Sequence, residues 1–156
     1  MSTQPASASR LFAPLSLNPN ITLSSRLVMA PLTRFRSSDT HVPVLPMMAT
    51  YYSQRASYPG SLLITEATFI SPRASGYNNV PGIWNEAQIS AWKQVTDAVH
   101  AKECFIFCQL WALGRTAKTD VLQSAEGGPY DVVSSSATPL MPGRYASITR
   151  QASRPG

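Results

Sequence analysis

The chain has 156 residues, 44% hydrophobic and 13% charged, with a formal charge of +5 from 13 Lys and Arg against 8 Asp and Glu. That balance suits the core of one ordinary domain and excludes a wholly disordered or fibrous polypeptide. The basic excess is spread over scattered arginines without interleaved aromatics, which argues against nucleic acid as a partner. No apolar run approaches the roughly 18 residues of a membrane span.

Residues 1–9 are rich in Ser and Ala but lack the apolar core of a signal peptide, so a disordered start on a cytoplasmic chain is expected. Leu11–Leu15 and Ile21–Leu23 flank the turn-forming Asn18-Pro19-Asn20, which predicts a β-hairpin ahead of the main fold. Arg26–Ala30 reads as a short strand stopped by Pro31, which has no N–H for a central ladder. Val44, Met47, Met48, Tyr51 and Tyr52 make an apolar stripe, predicting a helix over about residues 43–57. Ser61–Thr65 then has the continuous apolar centre of a buried parallel strand.

A Pro- and Gly-containing loop leads to Asn85, which can cap a helix with Gln88 at the reciprocal position. Ile89, Trp92, Val95 and Val99 recur at helical spacing and form its expected buried face. Cys104–Leu110 is a third strand, so helices and strands alternate as in βαβ units. Cys104 and Cys108 cannot bridge along one strand, and no second Cys/His cluster completes a metal site; free thiols in a reducing compartment are expected. His41, in a loop, and His100, at a helix end, are expected at the surface. From Gly114 the pattern dissolves into loop, with a short hairpin around Tyr130–Ser134 and a disordered tail over 141–156.

In a parallel α/β protein, functional residues gather where strands end at their C-terminal edge. Three such ends carry distinctive residues: Ala30-Pro31-Leu32-Thr33, Thr65-Glu66-Ala67-Thr68-Phe69 and Gln109-Leu110-Trp111. A Thr hydroxyl can hydrogen-bond a heterocyclic ring edge, a small Ala admits close approach, and a Gln amide can donate and accept at once. Taken singly, the same residues fit a turn threonine, a packing alanine and a core glutamine.

Five ordered stretches resemble the old yellow enzyme family of FMN-dependent ene-reductases, in particular its fungal secondary-metabolism branch with the ergot alkaloid reductases. They are Arg26–Arg36, Tyr51–Ala56, Leu63–Thr68, then Gly76-Tyr77 with Pro81–Trp84, and Phe107–Trp111 with Gly114-Arg115. The resemblance spans residues 10–140 and implies the N-terminal part of a (β/α)8 barrel, comprising the hairpin and about three βα units. It implies FMN contacts at Pro31, Leu32, Thr33, Ala67 and Gln109, with Thr33 tuning the flavin and NADPH as reductant. It also puts Phe69, Tyr77 and Trp111 near a pocket for a small hydrophobic enal or enone, with ordinary core as the alternative for each.

Such a barrel takes about 250 residues, and the family's carbonyl-binding His pair and phosphate loops fall beyond the stretches matched. The expectation is therefore an NADPH-dependent reductase or isomerase of activated C=C bonds that needs the rest of the barrel, supplied by further sequence, a second copy or a full-length relative. Two alternatives follow. One is a flavin-free homologue that binds a hydrophobic metabolite or steers a non-redox isomerisation or cyclisation, with Glu66 as acid–base group. The other is an inactive shortened product or interaction partner.

Overall fold

The computed structural model describes residues 9–136 and 138 and the backbone of 148–150. The expected disorder of residues 1–9 lies outside that set except at Ser9, which caps a 3-10 turn over Arg10–Phe12, and most of the tail over 141–156 lies outside it as well. Strands β1 (Leu15–Asn18) and β2 (Ile21–Leu23) form an antiparallel hairpin as anticipated, with a bulge between Ser16 and Asn18, but its first arm lies after the expected Leu11–Leu15, where Arg10–Phe12 instead makes a 3-10 turn. Strand β3 (Val28–Met29) follows and stops before Pro31.

Helix α1 covers Met47–Arg55, starting later than its apolar stripe suggested. The backbone of residues 43–44 is already committed elsewhere: Pro43 bridges Ser37, and the Val44 N–H donates to the Arg36 carbonyl at 3.1 Å. Pro46, which has no N–H to satisfy, becomes the N-cap. Strands β4 (Leu62–Ile64) and β5 (Thr68–Phe69) come next, then helix α2 (Glu86–His100). The expected capping box is present, with the Gln88 N–H donating to Asn85 Oδ1 at 3.0 Å and the Asn85 N–H to Gln88 Oε1 at 3.3 Å.

The buried stripe of α2 is Gln88, Ala91, Trp92, Val95 and Val99, and Ile89 is 45% exposed, contrary to its expected place inside. Gln88 can displace it because its amide is fully used: Nε2 donates to the Thr40 carbonyl at 3.1 Å, and Oε1 also accepts from the Trp84 N–H at 2.8 Å.

The third strand expected over Cys104–Leu110 is split into β6 (Phe105–Phe107) and β7 (Leu110–Trp111). Strands β3, β4 and β6 form a parallel three-stranded sheet in that order, and β5 pairs with β7, also in parallel. A short helix α3 (Thr119–Gln123) precedes β8 (Val132–Ser134). Instead of the hairpin expected near Tyr130–Ser134, β8 pairs in parallel with β9 (Ile148–Arg150).

Two cores result. Met48, Tyr51 and Tyr52 of α1 pack with Trp92, Val95 and Val99 of α2 over Leu63 and Cys104, while Phe69, Val80, Leu113, Leu122 and Val132 form a second cluster beyond the strand ends. Among the described residues, no helix is long and apolar enough to cross a membrane.

Candidate flavin site

The parallel register Met29↔Leu63 and Ile64↔Phe107 puts the ends of β3, β4 and β6 side by side, so the segments after them open on one edge of the sheet. Pro31 and Thr33 are half-buried there, Leu32 is exposed, Ala67 is buried and Gln109 is exposed. The structure therefore gathers all five residues expected at the flavin.

The ladder is interrupted at the same level. Thr65 donates its N–H to the Phe107 carbonyl at 2.8 Å, but the Gln109 N–H donates to the Thr65 hydroxyl at 3.0 Å rather than to a strand carbonyl. The Gln109 carbonyl then accepts from the Thr68 N–H at 2.9 Å and restarts the pairing as β5 and β7. The main chain of Gln109 is thereby fixed, while its side-chain amide makes no hydrogen bond among the described residues.

Glu66 is enclosed, at 1% exposure, and its carboxylate faces protein. Oε2 accepts from the Arg34 N–H at 3.1 Å, and the Glu66 N–H donates to the Tyr52 hydroxyl at 2.7 Å. Burial pushes its carboxyl above the usual glutamate range, partly offset by the Arg34 N–H and the charges of Arg36 and Arg34. An acid–base role on a ligand needs access that this placement withholds. Burial also raises the Tyr52 phenol.

The three expected substrate aromatics meet. Phe69 and Trp111 stack with centroids 5.4 Å apart, and Tyr77 stands edge-on to Trp111 at 6.0 Å. Phe69 is fully buried, so it backs the half-buried Trp111 and Tyr77 instead of offering a surface of its own. Beside them, a cleft of about 470 Å³ is lined by Phe35, Tyr77, Asn78 and Lys118.

His41 corrects the expectation of a surface histidine: it is half-buried, its Nδ1 donates to the Val80 carbonyl at 2.6 Å, and its ring lies against Phe69 and Trp84. His100 is exposed as expected. Sequence reasoning passed over Thr65, Tyr52 and Phe35, whose contacts across the fold leave no periodic or compositional mark.

Residues 10–151 match the profile of the NADH:flavin oxidoreductase / NADH oxidase family. The chain belongs to that family. It is 64% identical over 129 residues to a chanoclavine-I aldehyde reductase of Penicillium roqueforti, covering 83% of this chain and 34% of that protein. It is 56% identical over 137 residues to a probable inactive reductase of Epichloe festucae var. lolii, covering 88% of this chain and 35% of the relative. Among solved structures, an old yellow enzyme from Pichia sp. aligns with a TM-score of 0.76 at 40% identity, over 86% of this chain and 33% of that one. An old yellow enzyme homologue from Zymomonas mobilis aligns at 0.77 and 38%, over 92% and 40%. The chain thus spans about a third of the length of the curated relatives it matches.

These comparisons bear out the resemblance read from the sequence, the partial barrel, and FMN with NADPH as the cofactor and typical reductant of the family. The residues fit the ring of such a cofactor. An amide without a hydrogen-bond partner among the described residues, a hydroxyl and a side chain no larger than methyl stand on one sheet edge, which is the donor set and the clearance a flat heterocycle with alternating carbonyl and N–H groups requires.

Proposed function

We propose that this chain forms the flavin-binding N-terminal portion of an NADPH-dependent reductase or isomerase of activated C=C bonds, acting on a small hydrophobic enal or enone of fungal specialised metabolism. The observation that carries the reading is the alignment of three parallel strand ends that bring Thr33, Ala67 and Gln109 to one edge. FMN, when bound, supplies hydride transfer. Gln109 presents its amide to the polar edge of the ring, Ala67 leaves room for close approach, and the Thr33 hydroxyl donates a hydrogen bond that tunes the potential. Pro31 and Leu32 flank the ring, and Trp111 and Tyr77, backed by Phe69, form an apolar wall for the substrate. The relatives named as aldehyde reductases support the carbonyl substrate class.

Free Cys104 and Cys108 support a reducing, cytoplasmic setting. Titrating the chain with FMN, alone and together with the remaining part of the barrel taken from a relative, tests the proposal: bound flavin with quenched fluorescence and a shifted visible spectrum is expected in the completed barrel, and a completed barrel that stays colourless in excess FMN sinks it. The flavin-free acid–base alternative loses its acid, because Glu66 is enclosed and engaged by the Arg34 amide.

A second reading has its own support. Val28 on the open edge of β3 and Phe107 on the opposite edge, in β6, are 43% and 44% exposed, Leu110 in the separate β5–β7 pair is 62% exposed, and an apolar cleft of about 490 Å³ lies along Val28, Met29 and Leu62. Such edges favour completion of the barrel by further chain, a second copy or a full-length relative. Relatives named as a probable inactive reductase and a probable inactive dehydrogenase keep a non-catalytic role within this reading.

A further inference from the structure

The segment between β3 and α1 carries three of the five flavin-facing residues, yet it has almost no secondary structure to hold it. Residues 31–35 contain neither helix nor strand. Among the described residues, the one hydrogen bond made by their backbone runs from the Arg34 N–H to Glu66 Oε2 at 3.1 Å. Phe35 follows with φ of 53°, a left-handed backbone conformation uncommon for an aromatic residue, immediately after that bond.

Glu66 is in turn held from α1. Its own N–H donates to the Tyr52 hydroxyl at 2.7 Å, and Tyr52 is fully buried between the two helices. The neighbouring Tyr51 grips the same segment by its side chains: Arg34 Nε donates to the Tyr51 hydroxyl at 3.3 Å, and the guanidinium of Arg36, just after the segment, lies 4.9 Å from the Tyr51 ring centroid. A tyrosine pair on one helix thus fastens both the main chain of Glu66 and a side chain of the loop that its carboxylate holds.

We propose that Glu66 is a positioning residue of the flavin site, clamping the Arg34 amide so that Pro31, Leu32 and Thr33 stay in place above the end of β4. This rests on the flavin reading given above, and it replaces an acid–base role with a structural one at the same residue. A carboxyl accepts the Arg34 N–H whether or not it is ionised, so the clamp survives the burial of Glu66. Only an acceptor at this position is needed, which makes glutamine a conservative replacement and alanine a disruptive one.

The test compares wild type, Glu66→Gln and Glu66→Ala of the whole chain by amide hydrogen exchange and by FMN titration. The Arg34 amide should exchange at least about tenfold more slowly in wild type than in unstructured peptide, as one buried hydrogen bond gives. Glu66→Ala should remove that protection and weaken FMN binding by about tenfold, while Glu66→Gln restores both to within about threefold. Exchange of Arg34 at the free rate in wild type overturns the clamp without any variant. Unchanged exchange or unchanged FMN affinity in a folded Glu66→Ala overturns it as well. Should Glu66→Ala not fold, Glu66→Met, which keeps the volume and lacks the acceptor, takes its place. A wild-type chain that binds no FMN even when completed by the rest of the barrel from a relative overturns the flavin reading, and the exchange measurement then decides the clamp alone.

Discussion

The Gln109 side chain, exposed beyond the end of a strand, makes no hydrogen bond among the described residues, so replacing it probes binding and leaves folding alone. Gln109→Leu should therefore keep thermal stability within about 0.5 kcal/mol of wild type and weaken FMN binding about tenfold in a fluorescence titration. Glu66 lies two residues past β4 and answers to the protein interior. Its carboxyl is raised in the folded state, so the folded chain holds a proton that the unfolded chain releases above the ordinary glutamate range. The stability linked to Glu66 is thus complete below that range and lost as pH rises through the folded value. Melting temperature measured from about pH 4 to 7 should show a downward component in wild type that Glu66→Gln lacks. Thr33, Ala67 and Gln109 were legible because each follows a strand-ending signal in a recognisable stretch. The work of Glu66 was not legible, since its partners Arg34 and Tyr52 are 32 and 14 residues away and only the fold brings them together.

The α2 helix was largely readable as an element, since a capping box and a 3.6-residue stripe are local features. Its rotation was not: the Gln88 amide takes the interior place expected for Ile89 because Thr40 and Trp84 happen to offer matching backbone groups. The start of α1 was similarly decided from outside, by the pairing of residues 43–44 with 36–37. Trp92, 5% exposed and donating Nε1–H to the Gly82 carbonyl at 3.2 Å, joins α2 to that loop. Trp92→Ala should lower stability by about 3–5 kcal/mol in urea unfolding, with Asn85→Ala costing about 1 kcal/mol by loss of the cap. Gly76 has φ of 134°, and a Cβ there would overlap Ala117, so Gly76→Ala should also destabilise the chain and loosen Tyr77 beside it.

At the scale of the molecule, the open sheet edges set behaviour in solution. Exposed Val28 and Phe107 at opposite sides of the β3–β4–β6 sheet should make the isolated chain self-associate or bind a hydrophobic dye, and Val28→Lys should reduce both in sedimentation and dye-fluorescence measurements. Unchanged sedimentation in that variant would leave the β3 edge without a part in assembly. The sequence by itself determined the order of most strands and helices, the family, and which residues follow the strand ends, because periodicity, caps and breakers are written within a few positions of one another. Tertiary structure alone decided that β6 and β7 break where the Thr65 hydroxyl replaces a carbonyl, that Phe69 and His41 turn inward, and that Glu66 holds the loop of Thr33. Those outcomes depend on which distant polar groups meet once the chain has left water, and a buried donor or acceptor takes the partner that the packing supplies.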